Sequence, residues 1–80
     1  MKIYKFFLPT CGPCKRIGKI LDELNIDVTN IDMNDDESEE LADKYKVYSV
    51  PTIIKVDDEG NEMCRAGSNS TKEELIEKFC

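Results

Sequence analysis

Thr10-Cys11-Gly12-Pro13-Cys14-Lys15 is the stretch of sequence that decides the fold. It lies between a short apolar run at 3–8 and a helical pattern that extends over about 12–24. Two cysteines three residues apart across the start of a helix have Cα atoms about 5 to 6 Å apart, which is within disulfide range. We therefore expect Cys11 and Cys14 to open and close a disulfide with little movement of the backbone.

Strand and helix patterns alternate along the rest of the chain. Strands are predicted at 3–8, 26–31, 52–56 and 62–66, and helices at 12–24, at 37–46 and after Ser70. The segment 57–61 is predicted to be a hairpin turn, with Gly60 in a left-handed conformation. Right-handed crossovers place the helices on both faces of a four-stranded mixed sheet. The predicted fold is therefore α/β, with the order β-α-β-α-β-β-α, in one domain over residues 1–80.

The last helix has its own start signal. Ser70 and Glu73 have the spacing of a capping box, in which each side chain bonds the backbone N–H of the other residue. The apolar side chains that this helix is predicted to bury are Leu75, Ile76 and Phe79.

Composition narrows the classes of function. The chain has 11 basic and 17 acidic residues, for a net charge of −6. This charge argues against nucleic acid as a partner, because phosphate binding needs a basic surface. Histidine is absent, so any chemistry must use cysteine, lysine, tyrosine or carboxylates. No apolar run approaches the roughly 20 residues that span a bilayer, so we expect no membrane association.

The first nine residues are basic and then apolar, as in a signal peptide. Their apolar part, Phe6-Phe7-Leu8, ends at Pro9 and is too short for a signal core. We interpret this segment as a strand and expect the protein to be cytoplasmic.

The two cysteines of the motif have different expected roles. Cys11, at the cap of the helix, is the thiol that solvent and substrate reach, and Cys14 lies one turn inward. Unpaired backbone N–H groups and the positive end of the helix dipole favour a thiolate at Cys11. Lys15, Arg16 and Lys19 add positive potential or simply form the solvated face of this helix. Because the thiolate is the attacking species, Cys11 is predicted to be the nucleophile and Cys14 the resolving thiol.

Two other interpretations of the pair stay open. It could be half of a zinc site completed by Cys64 and Cys80, although a predicted helix separates those two. It could also be a structural disulfide, although so short a loop removes little entropy from the unfolded chain. We favour redox chemistry without a metal. Cys64 is expected to be buried in the last strand and Cys80 to be exposed, neither with a catalytic role.

The sequence resembles the thioredoxin family over nearly its whole length. Cys11-Gly12-Pro13-Cys14-Lys15 carries the motif typical of thioredoxins, whereas glutaredoxins usually have Pro-Tyr between the cysteines. Ser49-Val50-Pro51-Thr52 looks like the cis-proline loop of the family. The resemblance implies a minimal thioredoxin fold, a cis Val50–Pro51 bond, and a Val50 backbone that binds an extended substrate segment. Gly67 is similar to the glycine that lets the backbone approach the substrate groove, although it could equally be a plain turn residue.

Three residues depart from the family pattern, of which Lys46, in place of the glycine usual after the second helix, changes little. Thr10 stands where members commonly have tryptophan, which removes an apolar contact surface and implies different partners. Lys5 stands where thioredoxins often keep a buried acid beneath the second cysteine. Either the Lys5 ammonium stabilises the Cys14 thiolate, or the side chain reaches solvent at a sheet edge. The chain also lacks the extra N-terminal strand and helix of full-length thioredoxins, and in size it is closer to glutaredoxins.

The resemblance implies a monomeric oxidoreductase that reduces protein disulfides through the Cys11–Cys14 pair with no bound cofactor. Its electrons are expected from NADPH through a thioredoxin reductase, or alternatively from glutathione. Gly67-Ser68-Asn69 before a helix could cradle a glutathione carboxylate, whereas Gly12-Pro13 argues for the thioredoxin type. A zinc-binding or interaction module on the same fold is the third alternative.

Overall fold

The computed structural model describes residues 1–80 and contains four strands and three helices. The strands are β1 (Lys2–Phe7), β2 (Thr29–Asp32), β3 (Thr52–Val56) and β4 (Glu62–Ala66), and the helices are α1 (Gly12–Glu23), α2 (Ser38–Tyr45) and α3 (Lys72–Phe79). The strand order across the sheet is β2-β1-β3-β4. β2 is parallel to β1, whereas β3 runs antiparallel to both β1 and β4. The predicted order of elements and the mixed α/β sheet are confirmed.

Two apolar clusters lie on opposite faces of the sheet, because successive strand side chains point to opposite sides. The cluster under α1 and α3 consists of Ile17, Leu21, Ile53, Ala66, Leu75 and Phe79. The cluster under α2 consists of Phe6, Ala42, Tyr45, Val47, Ile54 and Val56. The β-branched neighbours Ile53 and Ile54 therefore belong to different clusters, and β3 is buried on both faces. No helix in the structure combines the length and the apolar character needed to cross a bilayer.

β2 begins later than predicted, at Thr29 rather than at 26. Asn25 adopts a left-handed conformation with φ of 57°, and the Ile26 N–H donates to the Leu21 carbonyl at 3.0 Å. The chain therefore still turns away from α1 at the start of the predicted strand. Ladder pairing starts only where Thr29 lies opposite Tyr4.

The start of α3 also differs from its prediction. Thr71, not Ser70, is the N-cap, and its Oγ1 accepts a hydrogen bond from the Glu74 N–H at 3.2 Å. The predicted capping box of Ser70 and Glu73 is therefore wrong by one residue. Ser70 is buried and its Oγ instead accepts from the Gly67 N–H at 3.1 Å. Leu75 and Phe79 are buried as predicted, but Ile76 is 42% exposed, so the prediction that it is buried is wrong.

Candidate active site

Cys11 and Cys14 are joined in a disulfide at the start of α1, with their Cα atoms 5.2 Å apart. Cys11 is the N-cap residue, in an extended conformation with φ of −86°. Pro13 follows in the first turn, where it interrupts no helical hydrogen bond. The Cys14 N–H donates to Cys11 Sγ at 3.2 Å. One backbone donor at the positive end of the helix is therefore directed at the outer sulfur.

The two sulfur-bearing residues differ in access to solvent. Cys14 is 3% exposed, whereas Cys11 is half-buried. Gly12 and Pro13 between them are exposed, and so is Thr10 on the other side of Cys11. An attacking group from outside therefore reaches the pair at Cys11, and Cys14 is reached only from within the protein.

The register of the sheet brings three segments to the same end of the molecule. β1 runs toward Cys11, and its residue Phe6 pairs with Thr52, the first residue of β3. Pro51 therefore lies beside the end of β1 from which the chain continues to Cys11. Ile53 pairs with Ala66, so Gly67 follows β4 at this end as well.

The cis-proline loop is anchored on its buried side. The Val50–Pro51 peptide bond is cis. Pro51 is buried, and Val50 is half-buried against the α2-side cluster. Thr52 Oγ1 donates to the Ser49 carbonyl at 2.8 Å, which closes the loop on itself.

The loop 67–70 is held to α1 by Arg16. The Nη2 atom of Arg16 donates to the Ser68 carbonyl at 2.7 Å and to the Ser70 carbonyl at 3.2 Å. A Cβ atom on Gly67 would lie 3.9 Å from the Pro51 carbonyl oxygen, an ordinary contact distance. Sterics within the chain therefore do not require glycine there. From the sequence, Arg16 is predicted only to add positive charge to this helix. No local pattern predicts that it binds a loop 52 residues away.

A polar groove of about 510 Å³ runs beside this loop along the edge of the sheet. Its lining includes Ser49, Gly67, Asn69, Glu74 and Lys78. The Lys78 Nζ donates to the Arg65 carbonyl at 2.9 Å, which occupies one of the open backbone acceptors of the edge strand. The groove therefore borders the loop 67–70 with hydroxyl, amide and charged groups rather than with apolar side chains.

Arg65, which lines the groove, also forms an ion pair with Glu62 on β4. Nε and Nη2 of Arg65 each donate to the Glu62 carboxylate at 2.7 Å. This hydrogen bonding is the main reason why the pKa of the Glu62 carboxyl is lowered and that of the Arg65 guanidinium is raised. Arg65 also donates to the Tyr45 carbonyl. It therefore fastens β4 to the last turn of α2.

Lys5 lies within the sheet and not at its edge, because β1 is flanked by β2 and β3. The predicted placement of Lys5 at a sheet edge is therefore wrong. The side chain is half-buried, and its Nζ is 5.4 Å from the centre of the Phe7 ring. That nitrogen is also 2.8 Å from where a Cβ atom of Gly18 would stand. Gly18 is one helical turn beyond Cys14, so the ammonium lies against the helix that carries the disulfide.

The other two cysteines are free thiols. Cys80 is exposed, as predicted, but Cys64 is half-buried rather than buried. Cys64 lies two residues before Ala66 on the edge strand β4. α3 covers it only in part. No three cysteine, aspartate or glutamate side chains converge in a way that could hold a metal ion. The four-thiolate arrangement required by the zinc alternative is not formed.

Known proteins resemble the chain in sequence and in structure. A family model described as Glutaredoxin matches residues 1–60. The thioredoxin of Staphylococcus epidermidis is 35% identical over 83 residues, which cover 96% of this chain and 77% of that protein. The chloroplastic M-type thioredoxin of Zea mays is 32% identical, covering 96% of this chain and 50% of that protein. The chain spans about half the length of this and other plant relatives that it matches.

The structural comparison agrees. Thioredoxin 1 of Thermosipho africanus superposes with a TM-score of 0.71 at 32% identity, covering 96% of this chain and 88% of that one. The superposition therefore takes in nearly the full length of both chains. The chain therefore belongs to the family of thioredoxins and glutaredoxins.

Proposed function

We propose that this chain is a thiol–disulfide oxidoreductase that reduces protein disulfides, with Cys11 as nucleophile and Cys14 as resolving thiol. The observation that carries the proposal is the disulfide at the start of α1, with one accessible and one buried partner. A pair used only for stability has no need of an accessible sulfur. A pair used for exchange needs one sulfur that the substrate can reach and one that it cannot.

The reaction balances in two steps of disulfide exchange. In the reduced protein, the Cys11 thiolate attacks one sulfur of the substrate disulfide, and the other substrate sulfur leaves as a thiolate. The Cys14 thiolate then attacks Cys11 Sγ, and the second substrate sulfur leaves. Two electrons pass to the substrate, which becomes a dithiol after taking up two protons. The protein is left with the Cys11–Cys14 disulfide.

The surroundings of Cys11 favour its thiolate. The N–H of Cys14 points at the sulfur at 3.2 Å, and the helix dipole adds positive potential at this end. Gly12 and Pro13 support the nucleophile by keeping the first turn compact, since Pro13 needs no N–H partner there. Thr10 leaves the approach to Cys11 open, because it is small and exposed.

Substrate is proposed to lie across the end of the sheet that holds Pro51 and Gly67. The backbone of Val50 would bind an extended segment of the substrate, because Val50 is the residue before the cis proline and is only half-buried. Gly67 would form the opposite border, next to the polar groove. The partners proposed here are therefore extended, disulfide-containing protein segments.

Lys5 is proposed to act as a positioning residue through Cys14. Its ammonium lies against α1 at Gly18, one turn from Cys14. A positive charge at that place stabilises the thiolate that Cys14 must form in the second step.

The electron donor is proposed to be a thioredoxin reductase that draws on NADPH, rather than glutathione. Glutathione binding at the loop 67–70 would need free N–H groups for its carboxylate. The Gly67 N–H already bonds Ser70 Oγ, and the Glu74 N–H bonds Thr71 Oγ1. Acidic side chains in the first turn of α3, Glu73 and Glu74, repel a carboxylate as well.

We further propose a cytoplasmic, monomeric protein in which residues 1–80 act as one domain. The net charge of −6 supports neither nucleic acid nor an anionic membrane surface as a partner. Within such a compartment, glutathione and thioredoxin-type systems keep thiols reduced. The Cys11–Cys14 pair would therefore rest as a dithiol.

The proposal is tested by reduction of insulin disulfides, with dithiothreitol as the first electron source. The wild-type protein is expected to accelerate the reaction, and Cys11→Ser to abolish the acceleration. Cys14→Ser is expected to trap a mixed disulfide between Cys11 and the substrate. Turnover with NADPH and thioredoxin reductase is then compared with turnover on glutathione. Unchanged reduction by Cys11→Ser would overturn the assignment, and faster turnover on glutathione would overturn the choice of donor.

A further inference from the structure

We propose that Cys64 and Cys80 form a second disulfide, which fastens α3 to the edge strand β4. Both thiols are free in the structure. Neither has a role in the exchange reaction described above, so the proposal stands apart from it. The basis is that the fold brings the two residues to the same end of α3.

Cys64 lies on the face of the sheet that α3 covers. It pairs with Lys55 of β3 and packs against the cluster that contains Leu75 and Phe79. Its Sγ is 3.4 Å from the carbonyl oxygen of Lys78, in the last turn of α3. The Cys64 sulfur therefore already contacts the part of the helix that leads to Cys80.

Cys80 continues that turn. Its N–H donates to the Ile76 carbonyl at 3.1 Å, which holds Cys80 as the C-cap of α3. In a helix, the Cα two residues after a carbonyl is roughly 5 Å from its oxygen, so the Cys64 sulfur lies within roughly 8 Å of the Cys80 Cα. Cys80 lines a cavity with Lys55, the residue opposite Cys64, and with residues 1–3 and 27–29 on the β1 and β2 side. Since helix ends fray, the last turn can open, and the proposed bridge requires it to turn Cys80 from that side toward β4.

The oxidant is a low-molecular-weight disulfide, of the glutathione disulfide class. The exposed Cys80 thiolate attacks one sulfur of the oxidant and forms a mixed disulfide, releasing one thiol. The Cys64 thiolate then attacks the Cys80 sulfur, and the second small thiol leaves. The protein loses two electrons, the oxidant gains them, and the two protons of the cysteines pass to the released thiols.

The bridge would close a ring that contains the loop 67–70, which Arg16 holds against α1. Oxidation of this pair would therefore restrict a segment that borders the proposed substrate groove. The mobility of the groove's border would therefore depend on the redox state of the surroundings, without any change at Cys11 or Cys14.

The experiment treats the wild-type protein with oxidised glutathione, blocks free thiols, and digests with trypsin without reduction. Cleavage after Lys55, Arg65 and Lys78 separates Cys64 from Cys80, and cleavage after Lys5 and Lys15 keeps Cys11 and Cys14 together in another peptide. The expected product is peptide 56–65 linked to the peptide that begins at Phe79, and it disappears on reduction. The same treatment of Cys64→Ser is expected to leave glutathione attached to Cys80.

Thermal unfolding gives a second readout. The unfolding midpoint of the wild type is expected to rise on oxidation by several degrees more than the midpoints of Cys64→Ser and Cys80→Ser, in which only the active-site pair can close. A wild type that yields only a Cys80–glutathione adduct, a dimer through Cys80, or unmodified thiols would overturn the proposal.

Discussion

The Nζ atom of Lys5 lies 2.8 Å from the point at which a Cβ atom of Gly18 would stand. Glycine within a helix is less favourable than alanine by about 1 kcal/mol. At position 18 the missing side chain leaves room for the lysine between β1 and α1. The two residues therefore form one steric unit, which lies one helical turn from Cys14.

This contact predicts that substitutions at the two positions are not additive. In a Lys5→Ala background, Gly18→Ala is expected to raise the free energy of unfolding by about 1 kcal/mol, because only helix propensity changes. In the wild type the gain is expected to be smaller, since the new methyl group displaces the ammonium. Urea unfolding of the four proteins measures the difference. Equal gains in both backgrounds would show that the lysine and the glycine do not interact.

The same unit predicts the acid–base behaviour of Cys14. In the reduced protein, Lys5→Met is expected to move the pH midpoint of the Cys14 ¹³Cβ chemical shift, followed by NMR, upward, because it removes a positive charge near the thiolate. Gly18→Ala is expected to move it in the same direction by less, since it displaces the charge without removing it. Lys19→Met, which removes an exposed charge from the same helix, is the matched control. An unchanged midpoint in Lys5→Met would remove Lys5 from the mechanism.

Arg16 is expected to act on substrate binding rather than on chemistry. Arg16→Gln loses the hydrogen bonds to the Ser68 and Ser70 carbonyls, which frees the loop beside the groove. We expect KM for a protein disulfide to rise about three- to tenfold, with kcat nearly constant, from the loss of one or two hydrogen bonds. Lys19→Gln removes the same charge without a loop contact and should leave KM unchanged. Equal effects of the two variants would mean that charge, and not the loop contact, matters.

The N-cap of α3 can be checked by substitution. Thr71→Ala is expected to lower the free energy of unfolding by about 1 kcal/mol, the usual value of a side-chain cap. It should also speed hydrogen exchange at the Glu74 amide, because the N–H of Glu74 donates its hydrogen bond to the threonine hydroxyl. Thr71→Ser keeps the hydroxyl and is expected to retain most of the stability. Slow exchange at Glu74 in Thr71→Ala would contradict this cap.

We expect the free energy of unfolding to depend on pH through the carboxyl group of Asp57. Hydrogen bonds from the Asn61 and Glu59 backbone N–H groups hold the pKa of its carboxyl below the usual value. A carboxyl with a lowered folded-state pKa stabilises fully above its unfolded pKa and loses that contribution as the pH falls through the folded pKa. The difference in stability between wild type and Asp57→Asn should therefore shrink between about pH 7 and about pH 3.

Urea unfolding at the two pH values measures this effect. Asp36→Asn, at an exposed position outside this turn, corrects for the general change in net charge. A difference between wild type and Asp57→Asn that stays constant with pH would mean that the turn does not depend on the ionised carboxylate.

Local signals predicted the parts of the fold that depend on neighbouring residues. The bounds of β3 and β4 match their predictions because a β-branched run and a turn with Gly60 mark them directly, and Gly60 has φ of 87°. The start of β2 could not be predicted, because it depends on how far the left-handed turn at Asn25 carries the chain before β1 offers a partner. The α3 cap was misplaced because both Ser70 and Thr71 are good caps, and burial of Ser70 decides between them.

In the candidate site, too, the features within one element were predictable and the contacts between elements were not. The placement of Cys11 and Cys14 follows from spacing on one helix, which the sequence contains. The contacts of Arg16 with the loop 67–70, of Lys5 with Gly18, and of Cys64 with the end of α3 join separate elements. These contacts depend on how the helices pack on the sheet. No hydrophobic period or motif within the sequence indicates which residues of separate elements will lie next to each other.

The hairpin turn at 57–61 has a practical consequence. It follows Val56, which pairs with Lys2 at the start of β1, so the length of a six-residue strand, roughly 16 Å, separates it from the end that holds Cys11. The Cys11–Cys14 pair and the hairpin turn therefore lie at opposite ends of the sheet. A fluorophore, a fusion partner or a solid support attached at the exposed Glu59 would leave the end that holds Cys11 turned toward the solution.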